Sequence, residues 1–330
     1  MPELLAFVLL LGVTAYSTAG GVDFGAGIWD LLAGTSPRGR EARALIDHAM
    51  APVWEVNNVW LVLSIVVCWT AFPPLFQGAF ADLYPLFTLA LIGLVLRGAF
   101  FAFRHVADQP RAHRIADLVF GASSVLTPFF FAAALGAIAS GKVGHGVIDA
   151  CVNPMAVAFG IVSVAATAFS GAAFLVGDAR RYGAASMVAY FQRRVIASGF
   201  VLIAVGSVAL VVIAFEAPSL VHSMLLGAGL PFALTTVVVT PVVMGLAWRG
   251  VFRWYRMLTV AAVGSLVFAW AFAQSPYLLP GRLTIEQAVA PPGTRGVLLG
   301  VTILVVVLVV PSMALLYYLD QRNTLESPQG

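Results

Sequence analysis

The sequence predicts an all-α polytopic membrane protein with nine transmembrane helices, its N-terminus outside and its C-terminus inside. Three observations lead there. Only 10% of the 330 residues are charged and 61% are hydrophobic, against about 25% charged in an ordinary soluble domain. A mean hydropathy of +0.96 leaves more apolar side chain than one globule of this length could hide. Runs of about 20 apolar residues recur from end to end, each long enough to cross roughly 30 Å of hydrocarbon, and the basic residues gather in alternate connections between them. A β-barrel would alternate polar and apolar residues along each strand. No such alternation occurs.

The spans cover about 4–32, 49–72, 80–103, 115–139, 153–176, 192–216, 225–247, 254–274 and 296–320. The first opens with Glu3 in place of a basic leader and continues past Ala15 without a cleavage signal, so it is expected to be retained as a helix. Turn and breaker residues separate the spans: Gly34-Thr35-Ser36-Pro37, Phe72-Pro73-Pro74, Asp108-Gln109-Pro110, Ala217-Pro218 and Ala290-Pro291-Pro292-Gly293. The longest connection, Ser275 to Arg295, is too short for a separate domain. The whole chain, 1–330, is therefore expected to form one membrane domain.

Orientation follows from Lys and Arg, which are retained on the cytoplasmic side. Connections after the first, third, fifth and seventh spans, with the C-terminus, hold Arg38, Arg40, Arg43, Arg104, Arg111, Arg114, Arg180, Arg181, Arg193, Arg194, Arg249, Arg253, Arg256 and Arg322. The other side holds Lys142, Arg282 and Arg295, and Arg97 lies within a span. Fourteen against three fixes the direction, and a wrong span count would have scrambled the alternation. The net charge of +3 is thus an orientation signal, with no nucleic-acid partner implied.

Charges within hydrocarbon are costly and mark partners or function. Asp23 lies late in the first span, Glu55 early in the second, Arg97 near the end of the third and Asp117 at the start of the fourth. At 1.5 Å per residue all four reach a similar depth. Glu55 and Asn58 are three residues apart and share a helix face. A carboxylate with amide neighbours in an apolar surround can pass a proton. It can equally form an ion pair with Arg97 that locks two helices, and the residues leave both readings open.

Other chemistries find little support. Cys68 and Cys151 make neither a disulfide framework nor a thiolate cage. His48, His105, His113, His145 and His222 all fall in loops or at span ends, so this chain is expected to bind no haem or other metal. Met155, Met187, Met224 and Met257 read as packing residues. The glycines from Gly20 to Gly27 sit inside an apolar helix and read as close helix packing, while Trp29, Trp248 and Trp254 fall near span ends. A secondary transporter, with its substrate site near the midplane, is the rival class. The charges cluster at one end of the first four spans instead.

The segment Pro52-Val53-Trp54-Glu55-Val56-Asn57-Asn58-Val59-Trp60-Leu61 resembles the motif P-x-W-D-G-N-x-x-W-L of subunit II of cytochrome bd quinol oxidases. The likeness extends through Val22-Asp23-Phe24-Gly25-Ala26-Gly27, Phe72-Pro73, Arg97-Gly98 to Phe103-Arg104, Asp117 and Leu283-Thr284. It implies two four-helix bundles, 4–139 and 153–274, with a peripheral helix at 296–320. It also implies a multi-pass subunit of the prokaryotic cytoplasmic membrane, paired with a subunit I that carries haems b and d and oxidises quinol. Small accessory subunits and a bound lipid or quinone are further implied partners. Subunit II supplies structural support and part of a cytoplasmic proton route in that family. Here the resemblance assigns that route to Glu55, Asn58, Asp23, Arg97 and Asp117, and motif packing to Trp54, Asn57, Trp60 and Arg104. Glu55 replaces the usual Asp, Val56 the usual Gly and Ala116 the usual Trp, and Asn58 stands where Glu or Gln is usual. Ala102 stands where an acid is frequent, which implies that a relay through that acid is broken. A purely structural membrane subunit is the remaining alternative.

Overall fold

A computed structural model describes residues 1–50, 54–104, 109–252 and 254–321; the side chains of 54–56 and 110, and several between 306 and 321, lie outside that description. The chain is almost wholly helical. The first apolar run forms α1 (Pro2–Ala15) and α2 (Gly21–Leu32), joined without a break by a π turn at Tyr16–Gly20. After α3 (Pro37–Met50) come α4 (Trp54–Ala71), α5 (Pro73–Arg104) and α6 (Pro110–Ala139). A one-turn α7 (Val147–Cys151) leads into α8 (Pro154–Arg181), α9 (Ala185–Glu216), α10 (Pro218–Leu226), α11 (Leu230–Arg249) and α12 (Tyr255–Gln274). A two-stranded hairpin and the short α13 (Ile285–Ala288) precede α14 (Pro292–Gln321).

Among the described residues, seven helices are long and apolar enough to cross a membrane: Pro2–Leu32, Pro73–Arg104, Arg111–Ala139, Val147–Arg181, Ala185–Glu216, Leu230–Arg249 and Tyr255–Gln274. The second and ninth expected spans correspond to shorter apolar stretches, Asn57–Ala71 and Pro292–Val305. Breakers act where expected. Phe72 separates α4 from α5 and Ala217 separates α9 from α10, each with proline opening the next helix, where its missing N–H costs nothing.

Two elements depart from the sequence reading. The connection after Pro37 is expected to be a turn but folds as α3. Ser36 Oγ accepts from Gly39 N at 3.1 Å as an N-cap, and Ala42, Leu45, Ile46 and Met50 form a buried stripe at helical spacing. The loop after Ser275 pairs β1 (Tyr277–Leu279) with β2 (Leu283–Thr284), antiparallel, and then closes on a capping box between Thr284 and Gln287.

α2 lies at the centre, against α6 and α8, while α5 packs on α6, α8 on α9 and α11 on α12. The α2–α8 crossing is very close, because a Cβ on Gly25 would stand 2.8 Å from Gly171 Cα. Two small residues let the backbones touch, as at other membrane-helix crossings. Of the glycines expected to be packing residues, Gly25 and Gly27 are contact points with neighbouring helices, whereas Gly21 has open space around it. The Phe120 and Phe169 side chains complete the core around this crossing.

Candidate functional site

Asp23 and Asp30 are seven residues apart on α2, and Arg97 and Arg104 are seven apart on α5. Seven residues is close to two helical turns, so each pair shares a face. The two faces meet as a ladder of two ion-paired levels. At the inner level Arg97 Nη2 donates to Asp23 Oδ1 at 3.0 Å and to the Asp23 carbonyl at 2.9 Å. Both side chains are buried, 5% and 12% exposed. At the outer level Arg104 Nη1 donates to Asp30 Oδ2 at 3.2 Å, and its Nη2 bonds Asp47 of α3. Arg43 of α3 lies 3.7 Å from both Asp30 and Asp117, and His113 stands 3.9 Å from Asp117.

Aromatic rings insulate the levels. Arg97 lies 5.0 Å from the Phe24 ring centroid and 4.6 Å from that of Phe120, and Arg104 lies 5.0 Å from Phe101 and 4.5 Å from Phe120. Each such contact contributes about 0.5–2 kcal/mol, more where water is excluded. The charges are not fully satisfied. Arg97 Nε, Arg104 Nε and Asp30 Oδ1 are buried without a hydrogen-bond partner, and internal water commonly serves such groups.

The sequence offered Glu55 as a partner of Arg97. Arg97 pairs with Asp23, and the Glu55 side chain lies outside the described residues, as does that of Trp54. Asn57 is buried, and its Nδ2 donates to the Ala19 carbonyl in the π turn at 3.2 Å. That bond ties α4 to the turn immediately before Asp23; π turns often occur at functional positions. Asn58 and Trp60 are half-buried on α4. Arg104, expected only as a packing residue, is the hub of the outer level. Ala102 is exposed on α5, off the face that carries Arg97 and Arg104, and the acids of the ladder come from α2, α3 and α6.

Asp30 and Asp47 escaped the sequence reading. The usable signal was the matched spacing, an Asp pair and an Arg pair each seven apart on neighbouring spans. Asp47 belongs to an amphipathic helix that no apolar run announces.

Beside the inner level, an apolar cavity of about 940 Å³ is lined by residues that include Leu9, Tyr16, Ser64, Phe131, Val263 and Trp270. The Tyr16 hydroxyl is buried without a partner, and its ring meets Phe24 and Phe131 edge-on at 6.3 and 5.8 Å. Among the described residues no three His, Cys, Asp or Glu side chains are arranged to hold a metal ion. His48 packs on Tyr182 at 4.5 Å; His105 lies outside the described residues.

A family model described as cytochrome bd terminal oxidase subunit II matches residues 1–320. The chain belongs to this family. Cytochrome bd-I ubiquinol oxidase subunit 2 of Escherichia coli (strain K12) is 26% identical over 182 residues, 52% of this chain and 46% of that protein. Cytochrome bd ubiquinol oxidase subunit 2 of Bacillus subtilis (strain 168) is 31% identical over 109 residues, 33% of this chain and 31% of the relative. The alignments thus span less than half the length of these curated relatives. A chain of the bd oxidase from Geobacillus thermodenitrificans has the same fold, with a TM-score of 0.76 at 20% identity, covering 98% of this chain and 99% of that one. Family, fold and the seven apolar helices make this a multi-pass membrane protein.

Proposed function

We propose that the chain is the non-haem subunit of a bd-type quinol:oxygen oxidoreductase in a bacterial cytoplasmic membrane, and that it helps carry protons from the cytoplasm to its partner. The observation that carries this reading is the buried two-level ladder, set at the basic end of a chain of this family. Structural pinning of Arg104 needs one carboxylate, and the ladder supplies two, Asp30 and Asp47.

In this reading the chain crosses the membrane nine times, N-out and C-in, as two four-helix bundles and a peripheral ninth helix. The partner subunit I holds haems b and d and the quinol site, and this chain holds no haem. Glu55, Asn58, Asp23, Arg97 and Asp117 form the proton route, with Asp117 at its mouth. The apolar cavity beside Tyr16 accommodates a lipid or quinone tail, and small accessory subunits complete the complex.

The test is copurification. Expressed with its partner, the tagged chain is expected to bring down haem in fixed ratio and to support quinol-dependent oxygen uptake. Expressed alone, it is expected to give no stoichiometric haem signal in reduced-minus-oxidised spectra. A haem retained by the isolated chain through purification contradicts the division of roles.

A further inference from the structure

Asp30 is held unlike the other acids of the ladder. Its side chain is only 2% exposed, and its two oxygens are held differently: Oδ2 accepts from Arg104, while Oδ1 accepts no hydrogen bond and has only the ion-pair contact with Arg43 Nε at 3.7 Å. Four charged groups face it: Arg43 and Asp47 from α3, Arg104 from α5 and Asp117 from α6. Asp47, which shares Arg104 with it, is 41% exposed, and Arg43 is 29% exposed. Water therefore reaches the partners of Asp30 but not Asp30 itself.

Neutralising Arg104 does not require this carboxylate, because Asp47 already bonds the same guanidinium. Burying a second acid there costs desolvation free energy that structure alone does not recover. An acid one ion pair in from solvent, with one oxygen that accepts no hydrogen bond, has the geometry of a group that takes up a proton and releases it.

We propose that Asp30 is a second proton carrier, loading from water at the basic end and discharging toward Asp23. This rests on the proton-route reading above. A hydronium ion at the rim loses a proton, the Asp30 carboxylate gains it, and the carboxylate is restored when the proton moves inward; no electrons are transferred. Asp30 and Asp23 are separated by roughly 10 Å of helix rise, too far for direct transfer. The transfer therefore needs internal water between the levels, for which the unpartnered Nε–H groups of Arg97 and Arg104 are donors.

Asp30→Asn is a discriminating probe, since Arg104 keeps Asp47 and Arg43 keeps Asp117. In the intact complex with its partner, the variant is expected to retain full haem content while turnover per haem falls about tenfold or more. Its pH profile of turnover changes, and Asp30→Glu restores most of the rate. Turnover within about twofold of wild type, with an unchanged pH profile, overturns the proposal. Should Asp30→Asn fail to assemble, Asp30→Glu carries the test: a displaced pH profile supports carriage, and a wild-type profile overturns it. A wild-type complex without oxidase activity would sink the parent reading; an active one indifferent to Asp30 sinks this inference alone.

Discussion

The two levels of the ladder use the same chemistry with opposite redundancy. At the inner level one guanidinium meets one described carboxylate, and both are sealed under Phe24 and Phe120. At the outer level Arg104 is shared by Asp30 and Asp47, while Arg43 spans Asp30 and Asp117. The difference teaches where loss of a charge is tolerated. A buried charge stranded by removal of its partner is expensive, whereas a networked charge keeps another.

The largest expected effect is therefore at the inner level. Asp23→Ala leaves the buried Arg97 guanidinium without its carboxylate and is expected to cost about 3–5 kcal/mol, measured as lost thermal stability and haem content of the complex. Asp23→Leu combined with Arg97→Met should recover much of that stability while turnover stays low. Recovery of neither would mean that the pair is not what holds α2 to α5.

Phe120→Leu probes both levels at once, because both guanidiniums lie over that ring. The expected loss is about 2–3 kcal/mol, from the two cation–π contacts and a partly filled cavity. A loss below about 0.5 kcal/mol would show that the ring only fills space.

Asp47→Asn should cost about 1 kcal/mol or less, since Asp47 is 41% exposed and water screens it. That cost should shrink at high salt, while the Asp23→Ala cost should not. Equal salt sensitivity would erase the distinction between levels. Smallest of all, Asp178→Asn breaks the pair of α8 with Arg256, whose side chain is 37% exposed. It is expected to change stability by about 0.5 kcal/mol or less, because Arg256 also donates to the Phe174 carbonyl at 3.2 Å.

The long helices were legible because hydrocarbon imposes length and apolarity on each span, and Phe72-Pro73 or Ala217-Pro218 marks its end in plain residues. The amphipathic α3 was not, because its buried face is only Ala42, Leu45, Ile46 and Met50 within a polar sequence. At the site, intramembrane charge singled out Asp23, Arg97 and Asp117. Depth alone could not tell which acid meets which base. Glu55 and Asp23 reach similar levels, and the pairing of Asp23 with Arg97 depends on the rotation of α2 after the π turn, which no hydropathy pattern records. Asp30 stands near the end of the first span, where a charge is ordinary, and only the matching seven-residue spacing of Arg97 and Arg104 points to its partner.

The most direct test of the account is turnover per haem in complexes carrying Glu55→Gln. Glutamine keeps the volume and much of the hydrogen bonding of glutamate but cannot exchange a proton at neutral pH, so it separates carriage from packing. The account predicts full assembly and haem content, with quinol oxidase turnover and proton uptake both lowered. Wild-type turnover per haem with unchanged proton uptake would contradict it, and would leave the charges of this subunit as braces for its helices.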